Sequence, residues 1–99
     1  MLQRKKEIMT PWRRPVLVTT QEKGVFFGYA EDTTGETIFL QQAQLCIYWS
    51  ADLRGFMGLA AMGPSGSCKI GPPADITIRH VTSVVEVGPG AEKKWLALR

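Results

Sequence analysis

The chain has 99 residues, a formal net charge of +3 and 44% hydrophobic side chains. A chain of this length forms one small domain with a single modest core, and its composition is that of a globular protein rather than a disordered one. No apolar run approaches the roughly 18 residues of a membrane-spanning helix, and residues 1–10 lack the apolar stretch of a secretory signal. We therefore expect no membrane partner.

The positive charge is concentrated at the amino terminus. Residues 1–14 hold five basic side chains and one acidic one, a net charge of +4, whereas residues 15–99 have a net charge of −1. We predict that residues 1–14 are a disordered basic arm and that residues 15–99 form a single domain. The arm is either an upstream extension, with Met9 as the start, or a segment that binds a phosphate backbone.

The first predicted strands form an antiparallel meander. Residues 15–20 and 25–30 are rich in β-branched and aromatic side chains, and a polar turn that ends in Gly24 separates them. Gly28, in the middle of the second strand, predicts a bulge or a sharp bend. A return strand follows at residues 36–40. The glutamine-rich residues 41–44 then interrupt it, and a third apolar run at residues 45–49 fits a strand.

Two helices and a long loop are predicted in the second half of the chain. Apolar side chains within residues 53–61 recur at the spacing of an amphipathic helix, with Ser50 or Asp52 as its cap and Gly63 as its end. Two internal glycines weaken this helix, so a strand is the alternative. Residues 63–74 are rich in glycine and proline and predict a loop with a brief strand at residues 69–70, and residues 91–98 predict a terminal helix.

Residues 76–87 are the longest β-prone stretch. Their apolar alternation shifts by one residue near Arg79 and His80, which predicts a bulge or a corner there. Five or six short strands bent at glycines predict a mainly β fold. We expect a small, strongly bent antiparallel β-barrel of the SH3 or Sm kind, with a short helical insertion and a C-terminal helix.

The cysteines and the single histidine form no recognisable catalytic or metal site. Cys46 and Cys68 are not a CxxC pair, and their spacing matches no zinc pattern. We interpret Cys46 as a core side chain and His80 as a structural histidine, whereas Cys68, in a loop beside Lys69, is a candidate reactive thiol. We therefore predict a protein that is not an enzyme and that holds no cofactor and no metal.

The loop at residues 63–69 is the leading candidate for a small-anion site. Its glycines, serine hydroxyls and lysine are suited to hold an anion, although the GxxxxGK[ST] spacing is absent. Neighbouring residues of a strand point to opposite faces, so one of Tyr48 and Trp49 is available to stack a base or to contact another subunit. The predicted ligand-binding residues are Tyr48, Trp49, Arg54, Ser65, Ser67 and Lys69.

Three short motifs stand out along the domain: GVFFG at residues 24–28, YW at residues 48–49 and CK at residues 68–69. With them the chain resembles a family of small uncharacterised proteins encoded by tailed phages and prophages, over residues 14–95. The resemblance supplies no activity and no catalytic residues. It implies a phage-encoded accessory protein in the cytoplasm of the bacterial host. Leu45 and Cys46 stand where bulkier or more basic residues are expected, which argues against a basic groove.

Three functions are compatible with these observations. The preferred one is a non-enzymatic binding module that acts on a host component as a homo-oligomer, since short barrels expose edge strands that pair with another subunit. The second is the sequestration of a nucleotide-derived immune signal by the predicted ligand-binding residues. The third is nucleic-acid binding through the basic arm.

Overall fold

The computed structural model describes residues 14–99. The predicted disorder of the basic arm and its binding to nucleic acid lie outside these residues, apart from Arg14, which is the first residue of a strand. The elements in chain order are β1 (Arg14–Thr20), β2 (Val25–Ala30), β3 (Ile38–Tyr48), a 3-10 turn (Ala51–Leu53), α1 (Phe56–Met62), β4 (Lys69–Ile70), β5 (Ala74–Ile78), β6 (Val81–Glu86) and α2 (Pro89–Leu96).

The six strands form one antiparallel sheet. Its order is β4–β3–β2–β1–β6, and β5 pairs with the first part of β3. The predicted mainly β class, with a helical insertion and a C-terminal helix, is confirmed. The predicted closure into a barrel is wrong: the sheet is strongly bent but open, because β6 pairs with β1 alone among the described strands.

β3 is one long strand where the sequence predicts two strands and an interruption. Gln42 has a φ of 56°, and the register of β3 shifts against both β2 and β5 near it, so the glutamines form a bulge. Gln44 is fully buried, which the sequence did not indicate. Its Nε2 donates to the Trp95 carbonyl oxygen (3.3 Å) and its Oε1 accepts from Arg99 Nε (3.0 Å). These partners offset the cost of burying an amide.

The sequence predicts a bulge or a bend at Gly28, and the structure has its bulge opposite this residue, in β3, because Phe27 and Tyr29 pair with Gln44 and Gln41. The register between β2 and β3 shifts between Phe27 and Tyr29. A Cβ atom at Gly28 would lie 3.2 Å from both Ala43 Cα and Leu40 Cβ, so glycine lets the bulged strand approach closely.

The predicted corner near Arg79 and His80 is also confirmed. His80 has a φ of 61° and separates β5 from β6, which pair with different strands. Its carbonyl oxygen accepts a hydrogen bond from the Gln21 backbone N–H (2.9 Å), and this contact fixes the corner against the β1–β2 turn.

The helical insertion begins later than its periodicity predicts. Leu53 lies in the 3-10 turn, and α1 begins after Gly55, which has a φ of 91°. The predicted caps are wrong, because Gly55 is the N-cap residue and the Ser50 hydroxyl pairs with Ser65 instead. A Cβ atom at Gly58 would lie 1.6 Å from the Leu53 carbonyl oxygen, so this glycine is needed for the turn to fold back on α1. The predicted end at Gly63 is confirmed.

Both faces of the sheet are buried in part. The helix-covered core lies between the sheet and the two helices; its buried residues are Leu17, Val25, Phe27, Cys46, Leu53, Leu59, Ala60, Val87, Ala91 and Trp95. The inner core lies on the opposite face of the sheet; its buried residues are Val16, Val18, Ala30, Ile38, Leu40, Ala43 and Ile78. Trp95 of α2 stacks on Phe27 with ring centroids 4.9 Å apart, which fastens the terminal helix to the sheet.

Candidate functional site

The structure brings four of the six predicted ligand-binding residues to one end of the sheet. Tyr48 at the end of β3 is the register partner of Lys69 in β4. The loop before β4 is fastened to the end of β3, because the hydroxyls of Ser50 and Ser65 lie 3.2 Å apart. Ser67 donates its backbone N–H to Ser65 Oγ (3.3 Å), which shapes the loop as a turn. Lys69 therefore lies opposite Tyr48, and the loop that holds Ser65 and Ser67 is fastened next to the end of β3.

The other two predicted residues have different environments. Trp49 packs against the helix-covered core, so Tyr48, with 52% of its surface exposed, is the ring available to a ligand. Arg54 follows the 3-10 turn in the left-handed conformation and is exposed. Within residues 14–99, no recorded hydrogen bond joins Arg54 to the loop, and ligand binding by all six residues stays a prediction.

Cys46 is a core side chain, as its sequence context predicts. It is buried in the helix-covered core, and burial raises the pKa of its thiol to about 11, with a further contribution from the nearby Cys68. Cys68 is half-buried against the same core, and its Sγ lies 3.7 Å from Ser65 Oγ. The reactivity proposed for Cys68 stays a prediction.

His80 lies at the corner between β5 and β6. It lines a small cavity of about 140 Å³ together with Gln21, Glu36, Val81 and Thr82. Within residues 14–99, no group of three histidine, cysteine, aspartate or glutamate side chains is arranged to hold a metal ion.

A larger groove lies on the face of the sheet opposite the inner core. We call it the sheet groove; it has a volume of about 410 Å³ and is lined by Tyr29, Glu31, Asp32, Thr37, Phe39, Gln41 and Thr77. Two register pairs form its floor, Tyr29 with Gln41 and Phe39 with Thr77. The Phe39 side chain is 52% exposed there. The groove therefore combines accessible aromatic surface with polar and acidic groups.

Hydrogen bonds hold the walls of the sheet groove in place. The Tyr29 hydroxyl donates to Glu92 of α2, and the Tyr29 ring meets the edge of Phe27 at 5.5 Å. Asp32 accepts from the Thr34 hydroxyl (2.7 Å) and from the Thr34 backbone N–H (3.0 Å). These two bonds lower the pKa of the Asp32 carboxyl below its ordinary value.

The sequence contained one signal for this groove. Phe39 stands between Ile38 and Leu40, which are buried in the inner core, so strand alternation directs its ring to the opposite face. The other lining residues come from β2, the following turn and β5, and only the pairing of the strands brings them together.

The outer edge of β6 is a second accessible feature. The Val87 backbone N–H donates to the Pro15 carbonyl oxygen, and the register then pairs Val16 with Glu86 and Val18 with Val84. In an antiparallel ladder, bonded and non-bonded pairs alternate. The peptide groups of Val84 and Glu86 therefore point away from β1, toward a side where no described strand lies.

The described residues include no helix that is long and apolar enough to span a membrane. A search of curated proteins gives no significant match. A search of solved structures likewise gives none. A family model does match residues 13–95, which include every described strand and all of α2 except its last residue. The chain therefore belongs to the family described as Domain of unknown function (DUF6948).

Proposed function

We propose that the protein is a non-enzymatic binding module that self-associates through the outer edge of β6. In this proposal it is an accessory protein encoded by a phage or prophage, and it acts on a host component in the bacterial cytoplasm. The observation that supports self-association is the open sheet, which leaves the peptide groups of Val84 and Glu86 without a neighbouring strand among the described residues.

The sequence of β6 suits pairing with a second copy. It is VTSVVE, with four β-branched residues in six and no proline. Such an edge is a template for another strand. The strands at the opposite side of the sheet are less suited, because β4 has only two residues and β5 follows directly after Pro72 and Pro73. Antiparallel pairing of two β6 strands about a two-fold axis would continue the sheet from one subunit to the next.

Two substitutions at one position test this proposal. Glu86→Pro removes the backbone N–H that points outward and leaves the ladder to β1 intact, because Val16 and Glu86 are a non-bonded pair. Glu86→Ala keeps that N–H and removes the same side chain. We expect native protein and Glu86→Ala to have a mass of about 22 kDa or more by light scattering, at least twice the 11.0 kDa of one chain. Glu86→Pro should have the mass of one chain.

A native protein that is strictly monomeric at micromolar concentration would contradict the proposal. So would a Glu86→Pro protein that is folded by circular dichroism and keeps the mass of the native assembly.

A second candidate function is supported by the pairing of Tyr48 with Lys69 and by the contact between Ser50 and Ser65. An exposed aromatic ring beside an ammonium group and loop hydroxyls suits a nucleotide, whose base stacks and whose phosphate accepts hydrogen bonds. In this proposal the protein sequesters a nucleotide-derived immune signal.

A thermal-shift screen against cyclic di- and trinucleotides tests the second candidate. A ligand should raise the melting temperature of native protein and of a Lys93→Gln control, which removes an exposed lysine from α2. Lys69→Gln should reduce the shift, since it removes the ammonium group beside Tyr48. If no nucleotide of the panel stabilises native protein, this function is rejected.

A further inference from the structure

We propose that the sheet groove binds an arginine side chain presented by an extended segment of a partner protein. The inference deepens the proposed function, on which it rests, because it names the chemistry of the host component. A groove of about 410 Å³ is large enough for a long side chain and its flanking backbone.

The charge of the groove favours a cation. Its two charged lining residues, Glu31 and Asp32, are both acidic and exposed. The nearby Arg14 is not part of the lining; its guanidinium lies 3.3 Å from Glu86 and donates to Thr33. Arg79, which follows β5, is also not part of the lining. The groove therefore presents negative charge, and an anionic partner such as nucleic acid would be repelled.

The aromatic rings favour a cationic side chain that can also stack on them. Phe39 offers an exposed ring, and the half-buried ring of Tyr29 lines the same groove. A guanidinium group stacks on aromatic rings and at the same time donates paired hydrogen bonds to carboxylates. An ammonium group has no planar face to stack, and a bare metal ion would use the rings poorly. The combination in the groove is thus best matched by arginine.

Two side chains that line the groove, those of Tyr29 and Asp32, are preorganised by contacts within the protein. The Tyr29 ring is held between Phe27 and its hydrogen bond to Glu92, and the Asp32 carboxylate is held by Thr34. Fixed groups lose little conformational freedom when they bind. The polar side chains of Thr37, Gln41 and Thr77 can accept or donate hydrogen bonds to the backbone of an extended segment.

A peptide titration tests this proposal on the full-length chain. The probe is an acetylated and amidated peptide of sequence ARARA, and its matched control replaces both arginines with citrulline, which has the same shape without the charge. Backbone amide chemical shifts of isotope-labelled protein are followed during the titration. We expect shifts concentrated at residues 29–41 and Thr77, and affinity for the citrulline peptide at least about tenfold weaker, because charge-assisted hydrogen bonds are roughly twice as strong as neutral ones.

Two double variants provide the protein control. Glu31→Gln with Asp32→Asn removes both groove carboxylates, and Glu22→Gln with Asp52→Asn removes two exposed carboxylates elsewhere. The first should lose most of the affinity and the second should keep it. The proposal is overturned if the arginine peptide leaves the groove amides unchanged, if the citrulline peptide binds equally well, or if both double variants lose affinity alike. The mass measurement at Glu86 reports self-association separately, so failure of one proposal is distinguishable from failure of the other.

Discussion

β1 and β6 are neighbouring strands with similar β-branched composition and different environments. β1 pairs with β2 on one side and β6 on the other, and its residues from Val16 to Thr20 are all buried. Among the described strands β6 pairs with β1 alone, and every one of its residues is half-buried or exposed. Composition therefore predicts that both segments are strands, whereas topology decides which one is core and which one is edge.

Because of this difference, we expect β1 to contribute mainly to stability and β6 mainly to assembly. Side chains of β1 contribute to both cores, Leu17 to the helix-covered core and Val16 and Val18 to the inner core. β6 contributes partly buried valines and a backbone edge with which no second described strand pairs. Substitutions in β1 should therefore unfold the domain, and substitutions in β6 should alter assembly with little loss of stability.

The largest expected effect compares two register partners, Leu17 of β1 and Val85 of β6. Leu17→Ala should lower the free energy of unfolding by about 2–5 kcal/mol, because Leu17 is fully buried and its loss leaves a cavity. Val85→Ala should cost roughly 1 kcal/mol, since Val85 is only half-buried. Chemical denaturation of both variants measures the difference. Equal losses would show that β6 is as deeply buried in solution as β1.

A smaller effect concerns Cys46, which shares the helix-covered core with Leu17. The pKa of its thiol is raised from 9.0 to about 11 in the folded protein, so the unfolded chain releases this proton first as the pH rises. Titration of the Cys46 thiol should therefore leave the free energy of unfolding unchanged below pH 9. It should lower the free energy of unfolding between pH 9 and about 11.

Denaturation of native protein and of Cys46→Ala across this pH range isolates the contribution of the thiol. Above pH 9 the free energy of unfolding of native protein should fall relative to that of Cys46→Ala. A difference that is independent of pH would show that Cys46 is not desolvated.

The hydroxyl of Thr19 is expected to have an effect of about 1 kcal/mol. Thr19 is buried, and its Oγ1 contacts Thr82 Oγ1 (2.8 Å) and Ser83 Oγ across the β1–β6 ladder. Thr19→Val keeps the shape and removes these bonds, so the free energy of unfolding should fall modestly. Thermal or chemical denaturation gives the value. Unchanged stability would mean that the backbone ladder alone holds β6 in place.

The smallest expected effect is that of the ion pair between Arg14 and Glu86. Their side chains are 40% and 68% exposed, and exposed pairs contribute little after solvent screening. Glu86→Ala should therefore change the free energy of unfolding by less than about 0.5 kcal/mol. A larger loss in low salt that disappears in high salt would show that this pair, rather than the ladder, fastens the edge strand.

Local patterns were sufficient to predict most elements of the fold. β-branched runs predicted β1, β2 and β6, and the shift in alternation predicted the corner at His80. The glutamines of β3 were misinterpreted because the amide of Gln44 is satisfied by groups of α2 and the chain terminus, more than fifty residues away. Barrel closure failed for a similar reason, since nothing local to β6 specifies whether a further strand lies beside it.

The two candidate sites differ in the same way, because one is built from local connections and the other from the pairing of distant strands. Tyr48 and Lys69 are register partners and Ser65 contacts Ser50 just beyond β3, whereas ligand binding by these residues stays a prediction. The sheet groove depends on the pairing of β2, β3 and β5, and only the outward position of Phe39 signalled it.

Amide hydrogen exchange at Val84 and Glu86, measured over a range of protein concentrations, tests the central proposal most directly. If β6 pairs with a second copy, exchange at these two amides should slow as the concentration rises, while exchange at the β1-facing amide of Val85 stays slow throughout. Rapid exchange at Val84 and Glu86 that is independent of concentration would contradict self-association through the edge of β6.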